Sequence, residues 1–353
     1  VQESADDHNQ TRAKHHYVTC AYLKNMLAAR ETRLWVYERN SPRVFRNIPA
    51  NLASARAYYT IIHKNGEEDD RFEKFLAADV ESPGIAVIRK LSDGFRQLKM
   101  QEIVHGATLI AVQELRVPSM RHQLLTMMKG VGNSFLKSIM SRPGLMESTL
   151  RELQDAGKIS TSVTANEMRR SYDEQEFEIV PSHSADLWAL SVSLKSLIET
   201  YSAMKWRVLV APGPTFHTSD APVCREYPET SNLPAGRGNP DLTIYFPISA
   251  RRVLMLQHDQ KKHERSNQLI AAGRNQEAER LWNRTPEIRY SFISAAVAER
   301  INRIVIERAM RWIYSPVEKP EVPTLFRGES RNLRIKMREL DQEGTLQSTF
   351  RIS

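Results

Sequence analysis

The sequence predicts an α+β fold, mainly helical, with a small antiparallel β-sheet. Three observations predict it. The middle of the chain carries apolar residues at three- and four-residue spacing. Four short runs of branched and aromatic residues lie between Trp206 and Leu256. Helical and strand-like segments do not alternate regularly, which argues against a doubly wound parallel sheet. The chain has 353 residues, 41% hydrophobic and 26% charged, enough to bury a substantial core and ordinary for a globular protein.

In chain order, residues 1–13 form a polar tail without the apolar centre of a secretory signal. His16 to Ala29 has helical spacing at Val18, Tyr22, Leu23, Met26 and Leu27. Leu34-Trp35-Val36-Tyr37 and Val44-Phe45-Arg46 flank Asn40-Ser41-Pro42 and predict a hairpin. Asn51 to Tyr59 reads as short helix or irregular chain, and the acids of 66–70 as a loop before an amphipathic helix carrying Phe72, Phe75, Leu76 and Val80. Helices are predicted from Ile103 to Leu115, stopped near Pro118, then over Leu124 to Met140 and Gly144 to Ala156. Lys158 to Phe177 is the least patterned interior stretch and the place for an insertion or lid, with a helical piece at Ala165 to Tyr172. A helix resumes from Ser184 to Tyr201.

Strands are predicted at 206–210, 215–218, 242–246 and 253–256, able to pair antiparallel, with a Pro- and Gly-rich loop from Cys224 to Asp241. Two helices follow, the second spanning Arg289 to Trp312. Residues 14–317 then make one α+β domain, and 318–353, with 7 basic and 6 acidic residues, a charged appendage.

No apolar run approaches the roughly 18 residues of a membrane-spanning helix, so a cytoplasmic protein with no membrane partner is expected. Cys20 and Cys224 are too few for a disulfide framework or a four-thiolate zinc site and read as buried thiols. Gly130-Val131-Gly132 lacks the ending of a phosphate-binding loop, and neither the Gly-x-Ser-x-Gly elbow nor the His-Glu-x-x-His helix is present. Net charge is +8, and residues 251–311 hold 13 Lys or Arg against 7 Asp or Glu. That region is a candidate nucleic-acid surface, although Asp259, Glu264, Glu277 and Glu279 interleave as on an ordinary solvated helix.

Thr215-Phe216-His217-Thr218-Ser219-Asp220-Ala221-Pro222-Val223, read with His15-His16-Tyr17-Val18 and Phe246-Pro247-Ile248-Ser249, resembles the family known as domain of unknown function 4238, over roughly Lys14 to Pro316. The resemblance implies a shared fold and a polar set at matching positions: His16, Tyr17, Glu81, Gln113, Arg116, Thr218, Ser219 and Asp220. Thr19-Cys20 stands where the family usually has Pro-Gln, and Ala221 where it more often has Asn.

Gln113 and Arg116, three apart, share a helix face; Glu81 is the natural counter-ion for Arg116, and Asp220 a partner able to orient His16. Two functions compete. In the first, the chain is a hydrolase acting on a phosphodiester, suited to a bacterial host-defence or toxin setting. There His16, Glu81 and Asp220 are catalytic, Tyr17, Gln113, Arg116 and Ser219 hold substrate, and a divalent metal is the candidate cofactor. In the second, the polar set is a structural network, and the basic 251–311 region engages nucleic acid or a partner protein.

Overall fold

The structure is a computed structural model that describes residues 14–56, 61–62, 68–69, 74–174, 183–233, 236–285 and 287–328. Among these, the residues up to Arg121 together with those from Leu190 onward form one compact unit, and those from His122 to Ala189 a second. Helix (51%) far outweighs strand (17%), so α+β holds. The sheet, however, is larger than predicted.

The first unit begins with β1 (Lys14–His16), α1 (Cys20–Asn25), the hairpin β2 (Leu34–Glu38) and β3 (Val44–Asn47), and β4 (Ser54–Arg56). A short pair, β5 (Ile61–Ile62) and β6 (Glu68–Asp69), precedes a π-helical turn over Leu76–Glu81, which runs directly into α2 (Ser82–Asp93) and then α3 (Met100–Leu115). After α4 (Pro118–Met140), α5 (Pro143–Asp155), α6 (Ala165–Asp173) and α7 (His183–Ala203), the chain returns to strands β7 (Lys205–Val210), β8 (Thr218–Ser219), β9 (Cys224–Glu226), β10 (Thr243–Ser249) and β11 (Arg252–Gln257). A helical hairpin, α8 (Gln260–Ala271) and α9 (Asn275–Asn283), leads to β12 (Arg289–Phe292), α10 (Ala295–Arg308), β13 (Trp312–Ser315) and α11 (Val322–Leu325). No described helix is long and apolar enough to cross a membrane.

Two sheets carry the first unit, one ordered β12-β7-β11-β10-β9 and the other β3-β2-β13-β8. Every pairing in them is antiparallel except β12 with β7, which is parallel. The five-stranded sheet is buried on both faces. Alternation sends Leu209, Val253, Met255 and Tyr245 to one face, into a core shared with Ile301 and Val305 of α10 and Ile313 of β13. The other face carries Trp206 and Phe246. Phe246 stacks on Tyr22 of α1 with ring centroids 5.0 Å apart. Trp206 lies so close to Gly106 of α3 that a Cβ there would sit 2.7 Å from its ring, so only glycine admits this helix-to-sheet approach.

Three expectations change. The helix predicted from His16 to Ala29 is confined to Cys20–Asn25, because Lys14–His16 pairs with Ser54–Arg56 as a strand. The helix predicted over Arg289 to Trp312 is α10 alone, with β12 before it and β13 after it. The charged segment set apart from 318 begins inside the core: Val322 and Phe326 are fully buried there, and Arg39 lies over the Phe326 ring, 4.2 Å from its centroid. The helices expected at 103–115, 144–156 and 165–172 are found as α3, α5 and α6. In the second unit Ile139, Met140 and Met146 form a small core against Leu136, Ala165, Met168 and Tyr172.

Candidate functional site

Asp220 follows β8, which pairs with β13 so that Ser219 faces Ile313 and Thr218 faces Tyr314. Its carboxylate accepts three backbone N–H bonds, from Met310 at 2.8 Å, Arg311 at 2.7 Å and Trp312 at 3.1 Å. Its own N–H donates to Trp312 O at 3.1 Å. Two of the donors belong to the turn between α10 and β13 and the third opens β13, N–H groups that the helix and strand ladders leave for Asp220. Arg39 closes the same turn from the carbonyl side, donating to Ile306, Ala309 and Met310 at 2.8, 2.6 and 2.9 Å. One anion and one cation thus clamp the end of α10, where its macrodipole is negative and favours a guanidinium. Burial pushes the Asp220 carboxyl up to about 6, against the downward pull of the three amides and of Arg39.

The rest of this corner is also satisfied. Ser219 Oγ accepts from Ala221 N at 3.1 Å, fixing the turn before Pro222. Thr218 Oγ1 and Tyr22 Oη are 2.7 Å apart. His217 N donates to Asn302 Oδ1 at 3.1 Å, and His217 Nδ1 lies 3.1 Å from Ser315 Oγ. That hydroxyl donates to Val317 O at 2.6 Å, so Nδ1 must carry the proton and donate to Ser315. Complete burial drives His217 down to about 3, keeping it neutral. Burial also pushes the Cys224 thiol up to about 12, which leaves it a poor nucleophile.

A second network joins the N-terminal segment to the end of α3. Gln113 Oε1 accepts from Thr19 N at 3.2 Å and Thr19 Oγ1 at 2.7 Å, and Gln113 Nε2 donates to Tyr17 O at 3.4 Å. Arg116, one helical turn on, donates through Nη2 to both Thr19 Oγ1 and Gln113 Oε1. Its Nη1 meets Glu81 Oε1 at 2.6 Å. The guanidinium is 3% exposed and the Glu81 side chain 20%, so this pair reaches the surface at its acidic end only. Glu81 closes the π-helical turn, whose extra residue per turn re-aims the side chain relative to an α-helix.

The predicted Glu81–Arg116 and Gln113–Arg116 partnerships are both present. The Asp220–His16 partnership is not: His16 Nε2 lies 3.2 Å from Ala50 O, and the Asp220 oxygens face the amides of 310–312. Tyr17 and Asp220 instead approach a common neighbour, the buried Tyr314, whose hydroxyl burial pushes well above its ordinary value. Among the described residues no three His, Cys, Asp or Glu side chains stand together as a metal-binding group.

One buried charge escaped the sequence reading. Glu114, between Gln113 and Arg116, is 4% exposed. It accepts the Tyr201 hydroxyl on Oε2 and meets Arg225 Nη2 at 2.9 Å, with Arg237 at 3.9 Å. The Glu114 charge raises the Arg225 pKa further. Its signal was available: a carboxylate inside the apolar run 109–117 requires a cation from elsewhere in the chain.

The basic 251–311 region is organised by the α8–α9 hairpin. Gly273, at φ +72°, takes the left-handed turn that ends α8. Trp282 donates from Nε1 to Ser266 Oγ at 2.9 Å, and Lys262 Nζ lies 4.5 Å from its ring centroid, tying the two helices together. Between them opens a groove of about 880 Å³ lined by Arg265, Arg274, Arg280 and Arg284, with Glu277 and Leu269. Arg274 holds Glu277 through two bonds of 2.6 Å. Those bonds keep the carboxyl below the ordinary range, helped by the charges of Arg280 and Arg265. Asp259, by contrast, caps α8 by accepting from Lys262 N at 3.2 Å. Of the four interleaving acids, Glu277 is the one that lines the groove.

A two-sheet α+β unit with buried ion-pair networks and an arginine-lined groove defines the class structurally. The chain belongs to the family described as protein of unknown function (DUF4238), which it matches over residues 14–318. No curated protein and no solved structure matches it.

Proposed function

We propose that the protein is a non-catalytic binding module that engages nucleic acid through the groove of the α8–α9 hairpin, its buried polar set serving as a structural network. The observation that carries this reading is the convergence of Arg265, Arg274, Arg280 and Arg284 on a concave surface holding one carboxylate. Planar guanidinium groups bind phosphate through paired N–H donors, and each phosphate neutralised releases counterions. A strand that displaces Glu277 from Arg274 gains a second bidentate site. The test is fluorescence anisotropy with labelled single-stranded and duplex oligonucleotides, comparing wild type with Arg280→Ala/Arg284→Ala. Both positions are solvent-exposed, so the variant folds as wild type. Loss of binding in a variant that melts normally supports the reading; unchanged binding removes it.

A phosphodiester hydrolase centred on Glu81 and Arg116 is the second reading. It is favoured by the π-helical turn that presents Glu81, since such turns recur at functional sites. Asp220 and His16 play no part in this version, because their polar atoms are engaged with backbone. A phosphodiesterase screen of wild type against Glu81→Gln decides it: turnover that vanishes in a folded variant supports hydrolysis, and no turnover in wild type ends it.

A further inference from the structure

The buried carboxylate of Glu114 meets two guanidinium groups. Arg225 of β9 takes the closer place, 2.9 Å from Glu114 Oε1, and Arg237, from the loop between β9 and β10, stands 3.9 Å from the same oxygen. Tyr201 completes the cluster without adding charge, because burial, reinforced by the charge of Glu114, holds its hydroxyl well above the ordinary value. The cluster therefore sets two positive charges against one negative. The acids of β9 and its loop do not make up the difference: Glu226 is held by Arg300 at 2.6 Å, Asp241 accepts from Ser231 at 2.9 Å, and Glu229 is exposed.

Arg237 is the surplus cation. Its guanidinium donates no hydrogen bond to any described residue, and its Nε is buried without an acceptor. A buried donor in that state costs free energy, so packing alone does not account for it. Nor is the residue loosely placed. His258 Nε2 donates to Arg237 O at 2.8 Å, Tyr227 Oη to Gly236 O at 3.3 Å and Asn239 Nδ2 to Ser231 Oγ at 3.2 Å, which fixes the loop on both sides of it. The cluster opens to solvent on its cationic side: the Arg225 and Arg237 side chains are 19% and 30% exposed, with Glu114 beneath at 4%.

We infer that Arg225 and Arg237 form a subsite for a phosphate group, which accepts from the guanidinium edges that Glu114 does not occupy. A carboxylate offers two coplanar oxygens and suits one guanidinium fork, whereas a tetrahedral phosphate offers oxygens in several directions and suits two forks that arrive from a strand and a loop. Its charge offsets the surplus cation, and turning the Arg237 fork onto it gives the Nε–H the acceptor it lacks. The phosphate is carried by a small compound or by the phosphorylated end of a strand. Arg237 does not line the α8–α9 groove, so the subsite does not rest on the nucleic-acid reading.

The full chain is titrated calorimetrically with inorganic phosphate at constant ionic strength, with acetate as the carboxylate control. Wild type is expected to bind phosphate at a saturable site that acetate does not fill. Arg237→Gln is expected to weaken that binding at least about tenfold, since it removes one fork. Arg237→Lys, which keeps the charge without the fork, is expected to weaken it less, and Arg280→Ala/Arg284→Ala to retain it in full. In phosphate-free buffer Arg237→Gln is expected to melt no lower than wild type, because it removes an uncompensated charge. The inference is overturned if wild type takes up no phosphate, if acetate binds as well, if Arg237→Gln binds phosphate as wild type does, or if only the groove variant loses the site. It is equally overturned if both Arg237 variants melt well below wild type without phosphate, because the cation then already has its partner in the fold. Fluorescence anisotropy with oligonucleotides that carry or lack a terminal phosphate tells the two sources apart. A preference for the phosphorylated end that Arg237→Gln loses assigns the subsite to a strand end, and equal affinity assigns it to a small phosphate compound.

Discussion

Asp220→Ala is the perturbation that separates a structural acid from a catalytic one. The substitution removes the acceptor for the N–H groups of Met310, Arg311 and Trp312, at 2.8, 2.7 and 3.1 Å, in a site where Asp220 is 2% exposed. A buried donor left without its partner costs about 1–3 kcal/mol. Three together, with partial relief from local relaxation, cost roughly 3–6 kcal/mol. At roughly 2–4 °C per kcal/mol for a large domain, the melting temperature should fall by on the order of 10 °C. Asp220→Asn keeps one acceptor oxygen and no longer buries a charge, so its loss should be smaller, roughly 1–3 kcal/mol. Differential scanning calorimetry at neutral pH reads both values. The reasoning is refuted if Asp220→Ala melts with wild type, or if the asparagine variant is the less stable of the two.

The pH profile offers an independent check, because two buried groups titrate in opposite senses. Asp220, raised from 3.8 to about 6, keeps its proton in the fold over a range where the unfolded chain has lost it, so its contribution is largest below 3.8 and lost as pH rises to about 6. His217, lowered from 6.5 to about 3, stays neutral while the unfolded chain protonates, so its contribution is largest above 6.5 and lost as pH falls toward 3. Urea unfolding from pH 4 to 7 should therefore show Asp220→Asn losing more stability than wild type on acidification, and His217→Asn losing less. For Glu114→Ala the expected cost is about 3–5 kcal/mol, since it leaves Arg225 buried without its carboxylate; Glu114→Ala/Arg225→Met should recover part of that loss in the same assay.

What the sequence disclosed and what it hid follow from the range of each interaction. The Glu81–Arg116 pair was readable because a cation in an apolar helical run needs a counter-ion, and the Gln113–Arg116 contact because helical spacing sets it. The partners of Asp220 are backbone amides some 90 residues away, which no side-chain pattern marks. Strand β1 was hidden in a helical periodicity because its identity comes from pairing with Ser54–Arg56. Strand β12 was absorbed into the following helix because its alternation, Arg289-Tyr290-Ser291-Phe292, lasts only four residues, partly exposed at a sheet edge, too short a run to stand apart from the helical periodicity after it. In the basic region the interleaved acids suggested a neutralised surface. Folding directs Asp259 to a helix cap and leaves Glu277 among four arginines.

The central claim is that the α8–α9 arginines contact phosphate, and the most direct measurement is the salt dependence of single-stranded oligonucleotide affinity for wild type and Arg280→Ala/Arg284→Ala. Each phosphate contact contributes about −0.7 to the slope of log K against log salt for a single strand. Removing two contacts should make that slope shallower by about 1.4 while weakening binding at low salt. An identical slope in the two proteins, or wild-type binding that does not respond to salt, would contradict the account.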